Sequence, residues 1–495
     1  MKKILWAFIT LLVLSTVLIL FLPAIASTNI GKRVVESAIS QRIEGEASIG
    51  SWELSWFGPQ IIRNVKFKSD EIEFSFSEIQ ASLPFWSFLQ VTQLEKTILK
   101  ELDGSASLKN GNIILYDKND TTYVENIDVN LYGNEGEEIS FDLKGDSRTN
   151  QIIGSILIDG KIANTSNIIN SPFPTTVKII TINFPTKSID KFFKAAKIKS
   201  NNRLLKEIKK DPNFLFSTLG PKVNANLLIR GKDNEGSVAL ELVSTNFKIN
   251  LDGALENNKI YLNKDLYATY FPSDSFDNKL VENINPLFST GLRALNPISL
   301  TVFKEGFSAS YDMNIKDIKI PKAVLDVGKI KCKNTKMLAT VIGLLKFQKL
   351  EKVEDVIVWC TPLTFEIRDR MLIASRMDAL IADSIHVCIY GDINLINDKL
   401  DMTLGIPADT LEELLKIKSL PENYVFQVPV KGKLDNPKIN LSRTASKLAM
   451  LLTSEKKNEK IPEVPELLDI LEKFDEKTPP PPNQAFPWQK ERLKN

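Results

Sequence analysis

Residues 382–404 read ADSIHVCIYGDINLINDKLDMTL, and their alternation sets the fold class. Leu400, Met402 and Leu404 fall on one side of an extended chain, with Asp401 and Thr403 on the other. Side chains alternate across a strand, so this is the pattern of a strand with one dry face. Asn397-Asp398 supplies turn residues between two such runs, which makes the segment a β-hairpin. Working outward toward the carboxyl end, Pro407–Lys418 reads as a short helix. Val425–Val430 and Lys433–Leu441 read as a second hairpin bent at Asn436-Pro437, and Ser442–Leu452 as a closing helix. The pattern is lost after Thr453, and Pro479–Pro482 is a short proline run. Residues 455–495 are therefore expected to be a disordered, proline-containing tail, with Val464–Phe474 as its one helical stretch.

Toward the amino end the same period of two recurs. Ile72, Phe74 and Phe76 oppose Glu71, Glu73, Ser75 and Ser77, and Ile61, Arg63, Val65 and Phe67 fall on one side of their own run. Residues 46–54 also alternate, but neither face is purely apolar. Ser105–Tyr116 reads as a strand broken by a turn at Asn110-Gly111. Val91–Leu99, Val124–Tyr132, Ile139–Leu143, Ile152–Ile158, Val223–Ile229, Ser237–Val243, Phe247–Leu255 and Lys259–Ala268 continue the series. Short strands between Gly, Asn and Asp turns predict a long antiparallel sheet. Helices interrupt it. Ile30–Ile43 is amphipathic, with Ile30, Val34 and Ala38 on one face, and capping a neighbouring sheet is its simplest use. Ser188–Ile208 is rich in lysine and amphipathic; Leu280–Leu295 and Thr335–Phe347 are further helical candidates.

Met1–Ala26 carries two lysines and then no charged side chain. A helix from Ile4 to Leu22 at about 1.5 Å per residue would roughly match a hydrocarbon core of about 30 Å. The same stretch also fits a secretory signal cut after Ala26. An apolar run longer than the about 7–15 residues of a signal core favours a retained anchor. Lysines ahead of the apolar run would keep the amino end inside and place the body in an exported compartment.

Composition narrows the chemistry. A formal charge of +2 over 495 residues gives no net attraction to nucleic acid. Three cysteines, Cys332, Cys360 and Cys388, read as small apolar strand residues, with one disulfide as the most they could form. His386 is the only histidine, which argues against a histidine-based metal site or triad. No glycine-rich phosphate loop, CxxC or HExxH is present. Asp369, Asp378, Asp383 and Asp392 read as turn and edge positions. The residues thus predict no catalytic, cofactor-binding or metal-ligating site, no cofactor, and a protein that is not an enzyme.

The order of parts resembles the AsmA-like family of Gram-negative envelope proteins with its TamB-type relatives. The resemblance is carried by the apolar amino end, Gly45–Trp52, Ile61–Phe67, Phe365–Leu372, Gly391–Leu395, Leu400–Gly405 and Val430–Pro437. Where the family has glycine in the turn of Phe365–Leu372, this chain has Arg370. Laid out on that pattern, residues 1–26 form an N-terminal transmembrane anchor and 27–118 an N-terminal helix and AsmA-like β region. Residues 119–330 form a central β region with helical inserts, 331–454 a C-terminal AsmA-like β region, and 455–495 the tail. The resemblance implies a mainly β protein, its long antiparallel sheet curled into an apolar groove with short packed helices. It implies a single-pass protein of the bacterial inner membrane with its body in the periplasm. Its expected role is to conduct phospholipid in envelope and outer-membrane biogenesis, with a non-catalytic structural or assembly role as the alternative. The expected partners are the inner membrane, phospholipid acyl chains against positions such as Val65, Leu115 and Leu240, and envelope proteins.

Overall fold

The period of two runs further than the sequence suggests, because asparagines in left-handed conformation absorb residues that would otherwise end a strand. This is seen in a computed structural model that describes residues 23–24, 27–43, 45–70, 72–82, 104–117, 120–133, 138–162, 176–195, 214–232, 235–272, 293–310, 316–333, 355–417, 420–434, 436–456, 478–482 and 486–492. The chain divides into two units, residues 1–245 with 255–258, and residues 246–254 with 259–495. The boundaries expected at 118 and 330 fall inside these units.

The first unit is an antiparallel meander. Its strands are β1 (Glu46–Glu53), β2 (Gln60–Lys68), β3 (Ile72–Ala81), β4 (Gly104–Asp117), β5 (Asp120–Gly133), β6 (Ile139–Thr149), β7 (Ile152–Ile162), β8 (Thr176–Pro185), β9 (Lys222–Lys232) and β10 (Glu235–Ser244). Each pairs with the next in sequence. Asn64, Asn110 and Asn126 have φ of 55°, 48° and 55°. Asparagine tolerates this region better than other residues with a Cβ, and one such residue in a strand makes a bulge that shifts the face of everything after it. Asn110-Gly111 is therefore not the expected turn but a bulge within β4, with paired residues on both sides of it. At Asn64, opposite Gly50, the inward set changes phase. Ile62, Val65 and Phe67 share a face, while Arg63 and Asn64 both turn away, which corrects the expected grouping of Ile61 and Arg63 with Val65. The same slip in β1 leaves Ala47, Ile49 and Trp52 on the more buried side, resolving its mixed alternation.

Helix α1 (Asn29–Ile43) closes the outer edge of β1, and it does so with its polar side. The outward amides of Ala47, Ile49 and Leu54 donate to Ser40 Oγ (2.9 Å), Glu36 Oε1 (2.6 Å) and Ser27 Oγ (3.1 Å). Lys32 Nζ donates to the carbonyl of Gly50 at 3.3 Å. Ile30 and Val34 point to solvent, 77% and 63% exposed, so the helix caps the sheet as expected but without these two residues of its apolar face. Helices α2 (Thr186–Ala195) and α3 (Phe214–Leu219) follow β8, and the buried carboxylate of Asp190 accepts the first amides of α3 from Leu215 and Phe216.

The second unit is organised by a forked sheet. It holds most of β11 (Phe247–Glu256), then β12 (Lys259–Leu262), β13 (Leu266–Tyr270), β14 (Arg293–Ala294), β15 (Ile298–Val302), β16 (Ala309–Ser310), β17 (Ile320–Asp326), β18 (Lys329–Lys333) and β19 (Asp355–Cys360). These are followed by β20 (Leu363–Arg368), β21 (Met371–Ile381), β22 (Ile385–Asn394), β23 (Lys399–Pro407), helix α4 (Ala408–Leu415), β24 (Val425–Lys433), β25 (Asn436–Ile439), α5 (Leu441–Lys456) and α6 (Pro487–Arg492). A register shift between Ala374 and Met377 bends β21. Its first half pairs with β20, leading to β17, β15, β13 and β11, and its second half with β19, leading to β18 and β14. On its other side β21 pairs with β22, and the order runs on through β23, β24 and β25. The main core packs Val356, Val358, Ala379, Ile381, Ile385, Val387, Leu404, Ile406, Phe426 and Val428 with Leu411 of α4 and Leu451 of α5. The hairpin of β22 and β23 turns at Asp398, with Leu400, Met402 and Leu404 buried together as expected.

The mainly β expectation holds, and the rest of the fold expectation is corrected. The sheet is neither closed nor curled into a groove; in the first unit β1 pairs with β2 alone among the described residues. Among the described residues no helix is long and apolar enough to cross a membrane. The transmembrane anchor and single-pass inner-membrane placement expected from the sequence are thus corrected to no such helix among the described residues, and residues 1–22 of that stretch lie outside them. The expected phospholipid conduction in envelope biogenesis falls with the groove, which it needed. Val91–Leu99, Thr335–Phe347, Val464–Phe474 and most of Leu280–Leu295 also lie outside the described residues.

Candidate functional site

Two features stand out, one in each unit. In the first, a single cross-strand row runs through every strand of the meander: Trp52, Ile62, Ile79, Leu108, Val129, Leu143, Ile158, Ile179, Leu227 and Leu240, each opposite the next. With strands about 4.8 Å apart, the row extends for about 43 Å. All ten side chains are half-buried and none fully buried. Val65, Leu115 and Leu240, expected to share a surface, do lie on this face; Leu115 is buried. The reverse face is mixed: it carries ion pairs, and in β7 and β8 also the exposed apolar side chains of Ile153, Leu157 and Ile182. Glu78 sits between Arg63 (3.4 Å) and Lys109 (3.0 Å), Asp128 faces Lys144 at 2.9 Å, and Glu125 faces Arg148 at 3.2 Å. At one end α2 lies on the apolar face, where the Ser188 hydroxyl meets those of Ser147 (2.8 Å) and Thr149 (3.1 Å).

In the second unit, the face of β21 and β22 opposite the main core buries charge. Asp378 is fully buried and Arg376 and His386 nearly so. Arg376 Nη2 donates to Asp378 Oδ1 at 2.7 Å, and Nε lies 3.0 Å from both carboxylate oxygens. His386 Nε2 lies 2.9 Å from the same Oδ1, and Nδ1 lies 3.0 Å from Oδ2 of Asp409 at the exposed start of α4. The Thr410 hydroxyl donates to the carbonyl of His386 at 2.8 Å, and the Asp378 amide donates to Thr361 Oγ1 at 2.9 Å. Burial works against the imidazolium, yet hydrogen bonds to Asp378 and Asp409 outweigh it and hold the pKa of His386 above 6.5. Burial works against the Asp409 carboxylate as well, but His386 holds its pKa below 3.8. Cation and anion thus alternate along Arg376, Asp378, His386 and Asp409.

The carboxyl-terminal segment roofs this network. Arg376 Nη1 donates to the Pro480 carbonyl at 3.2 Å. The rings of Phe486 and Trp488 stack on each other at 4.9 Å, and both approach His386, at 4.8 and 5.8 Å between centroids. Trp488 also meets Trp359 edge-on at 6.2 Å, and Lys329 Nζ lies 3.9 Å over the Trp359 ring. Residues 478–482 and 486–492, expected to belong to a disordered tail, are therefore seated on the sheet, because two large rings find an aromatic and cationic surface there.

Sequence reasoning missed this network. Asp369 and Asp383 do occupy turns, with φ of 50° and 55°. Asp378 does not: it lies in the middle of β21, and the reading of it as an edge residue is corrected. The available signal was Arg376 two residues before Asp378, which places both on one face of a strand otherwise rich in apolar residues. The three cysteines are free and buried, as small apolar strand residues would be. Burial pushes their pKa values up to about 11 for Cys332 and about 12 for Cys360 and Cys388. Among the described residues no group of three or more His, Cys, Asp or Glu side chains is placed to hold a metal ion. No family model, curated protein or solved structure matches the chain, so the AsmA-like resemblance stands on its short motifs alone.

Proposed function

We propose that the protein is a non-catalytic binding scaffold whose first unit receives amphipathic helices on the apolar face of its sheet. The observation that carries this reading is the row from Trp52 to Leu240, apolar in all ten strands and half-buried throughout. Covering such a row removes apolar surface from water at about 25 cal/mol per Å². On the reverse face the apolar side chains of Ile153, Leu157 and Ile182 are interrupted by ion pairs and form no such continuous row. A helix is the favoured occupant because α2 already lies on this face. A helix with one apolar stripe also covers a sheet while satisfying its own backbone.

The test is a titration of the full chain with a fluorescently labelled leucine–lysine amphipathic helix, followed by anisotropy. Saturable binding is expected, weakened at least tenfold by Leu143→Lys or Ile158→Lys and unchanged by Lys161→Gln on the reverse face. Circular dichroism checks that the variants keep their strands. Absence of binding to the unsubstituted chain, or equal loss in the reverse-face variant, would overturn the reading.

A further inference from the structure

The second unit carries a different surface, around His386, which the binding role of the first unit does not use. We propose that this surface is a peptide-recognition site for an aromatic–proline–aromatic sequence, filled in cis by Phe486-Pro487-Trp488. Three observations converge on it. The first is the set of groups that meets the segment: a buried imidazole against two rings, a buried guanidinium on a peptide carbonyl, and a tryptophan edge. Such a combination reads a polypeptide with flat side chains and a free carbonyl, as aromatic-lined grooves read proline-rich segments.

The second is preparation. Arg376 and His386 are held in place by Asp378, and Asp378 in turn by Thr361, so the donors are fixed by their neighbours rather than by the segment. Preorganised groups lose little freedom when a ligand arrives. The third is the place of the segment in the chain, well beyond α5. Residues 457–477 stand between it and α5 in the chain, and Pro481 and Pro482 are exposed. Pro480 lowers the entropy cost of holding its part of the segment extended, and Pro487 does the same for the first residue of α6, which suits a ligand that docks and leaves.

His386 makes the test clean, because it is the only histidine of the chain and gives one imidazole Cε1 proton signal. In full-length F486A/W488A the loss of two ring currents is expected to shift that signal. Adding a synthetic peptide of residues 478–492 should move it back toward its position in the unsubstituted chain, while a peptide with both aromatics replaced by alanine should not. In the unsubstituted chain, excess peptide should speed amide exchange in residues 487–492 severalfold by displacing the segment; this measurement does not depend on how the variant folds. An imidazole signal identical in the two proteins would overturn the proposal. So would a variant signal unmoved by the peptide, or exchange that excess peptide leaves unchanged.

Discussion

His386 Nε2 lies 2.9 Å from Oδ1 of Asp378, a carboxylate with no exposed surface, while the other ring nitrogen reaches Asp409 at 3.0 Å. An imidazole between two carboxylates is a proton trap, and its folded pKa lies above the ordinary 6.5. The stabilisation it supplies is complete below about pH 6.5 and is lost as pH rises through the folded value. Asp409 works in the opposite sense. Its folded pKa is lowered, so its contribution is present above the ordinary carboxylate value and disappears as pH falls through the folded one. Its exposed side chain makes that second effect small. The melting temperature should therefore fall between pH 6.5 and 9, and His386→Gln should flatten that limb. A melting temperature that holds constant or rises across this range in the unsubstituted chain would contradict the assignment.

Arg376 and Asp378 form a buried pair with little access to solvent. Asp378→Ala would strand the guanidinium and the imidazole, at a cost of about 3–5 kcal/mol. The double variant R376M/D378L removes both charges and is expected to lose much less than the two single variants summed. Urea unfolding of the unsubstituted chain, R376M, D378L and the double variant completes the cycle. Additive losses would mean that the pair is not coupled.

Asp369 and Arg370 both lie in the left-handed region, at φ 50° and 69°, in the turn joining β20 and β21. A side chain there costs about 1–2 kcal/mol, part of which glycine would recover. Arg370→Gly is expected to stabilise the chain by about 0.5–1 kcal/mol. Asn64→Val, which puts a β-branched residue at φ 55° inside β2, should destabilise it by at least as much. Urea midpoints moving in the same direction for both would refute this account of the two positions.

Strands and hairpins were legible in the sequence wherever alternation ran unbroken, as from Leu400 to Leu404. They were misread wherever a left-handed asparagine slipped the phase. Asn64 and Asn110 carry turn chemistry, and nothing local distinguishes an asparagine that ends a strand from one that bulges inside it; the neighbouring strand's pairing decides. Asp378 was misread for a related reason. A charge in a strand normally marks water, and only Arg376, His386 and Asp409, drawn from three elements, allow it to be buried. The seat of Trp488 was illegible for lack of any periodicity across a proline run.

Helix α1 and the preceding Ser27 meet the edge of β1 through hydrogen bonds, and this bears on how that edge meets other chains. An open sheet is a growing chain end: every unpaired edge amide can add another molecule. Glu36, Ser40 and Ser27 act as chain terminators, occupying the amides of Ile49, Ala47 and Leu54 that a neighbour's strand would need. They do so without shielding Ile30 and Val34. Three polar side chains thus close this edge of the meander to a further strand.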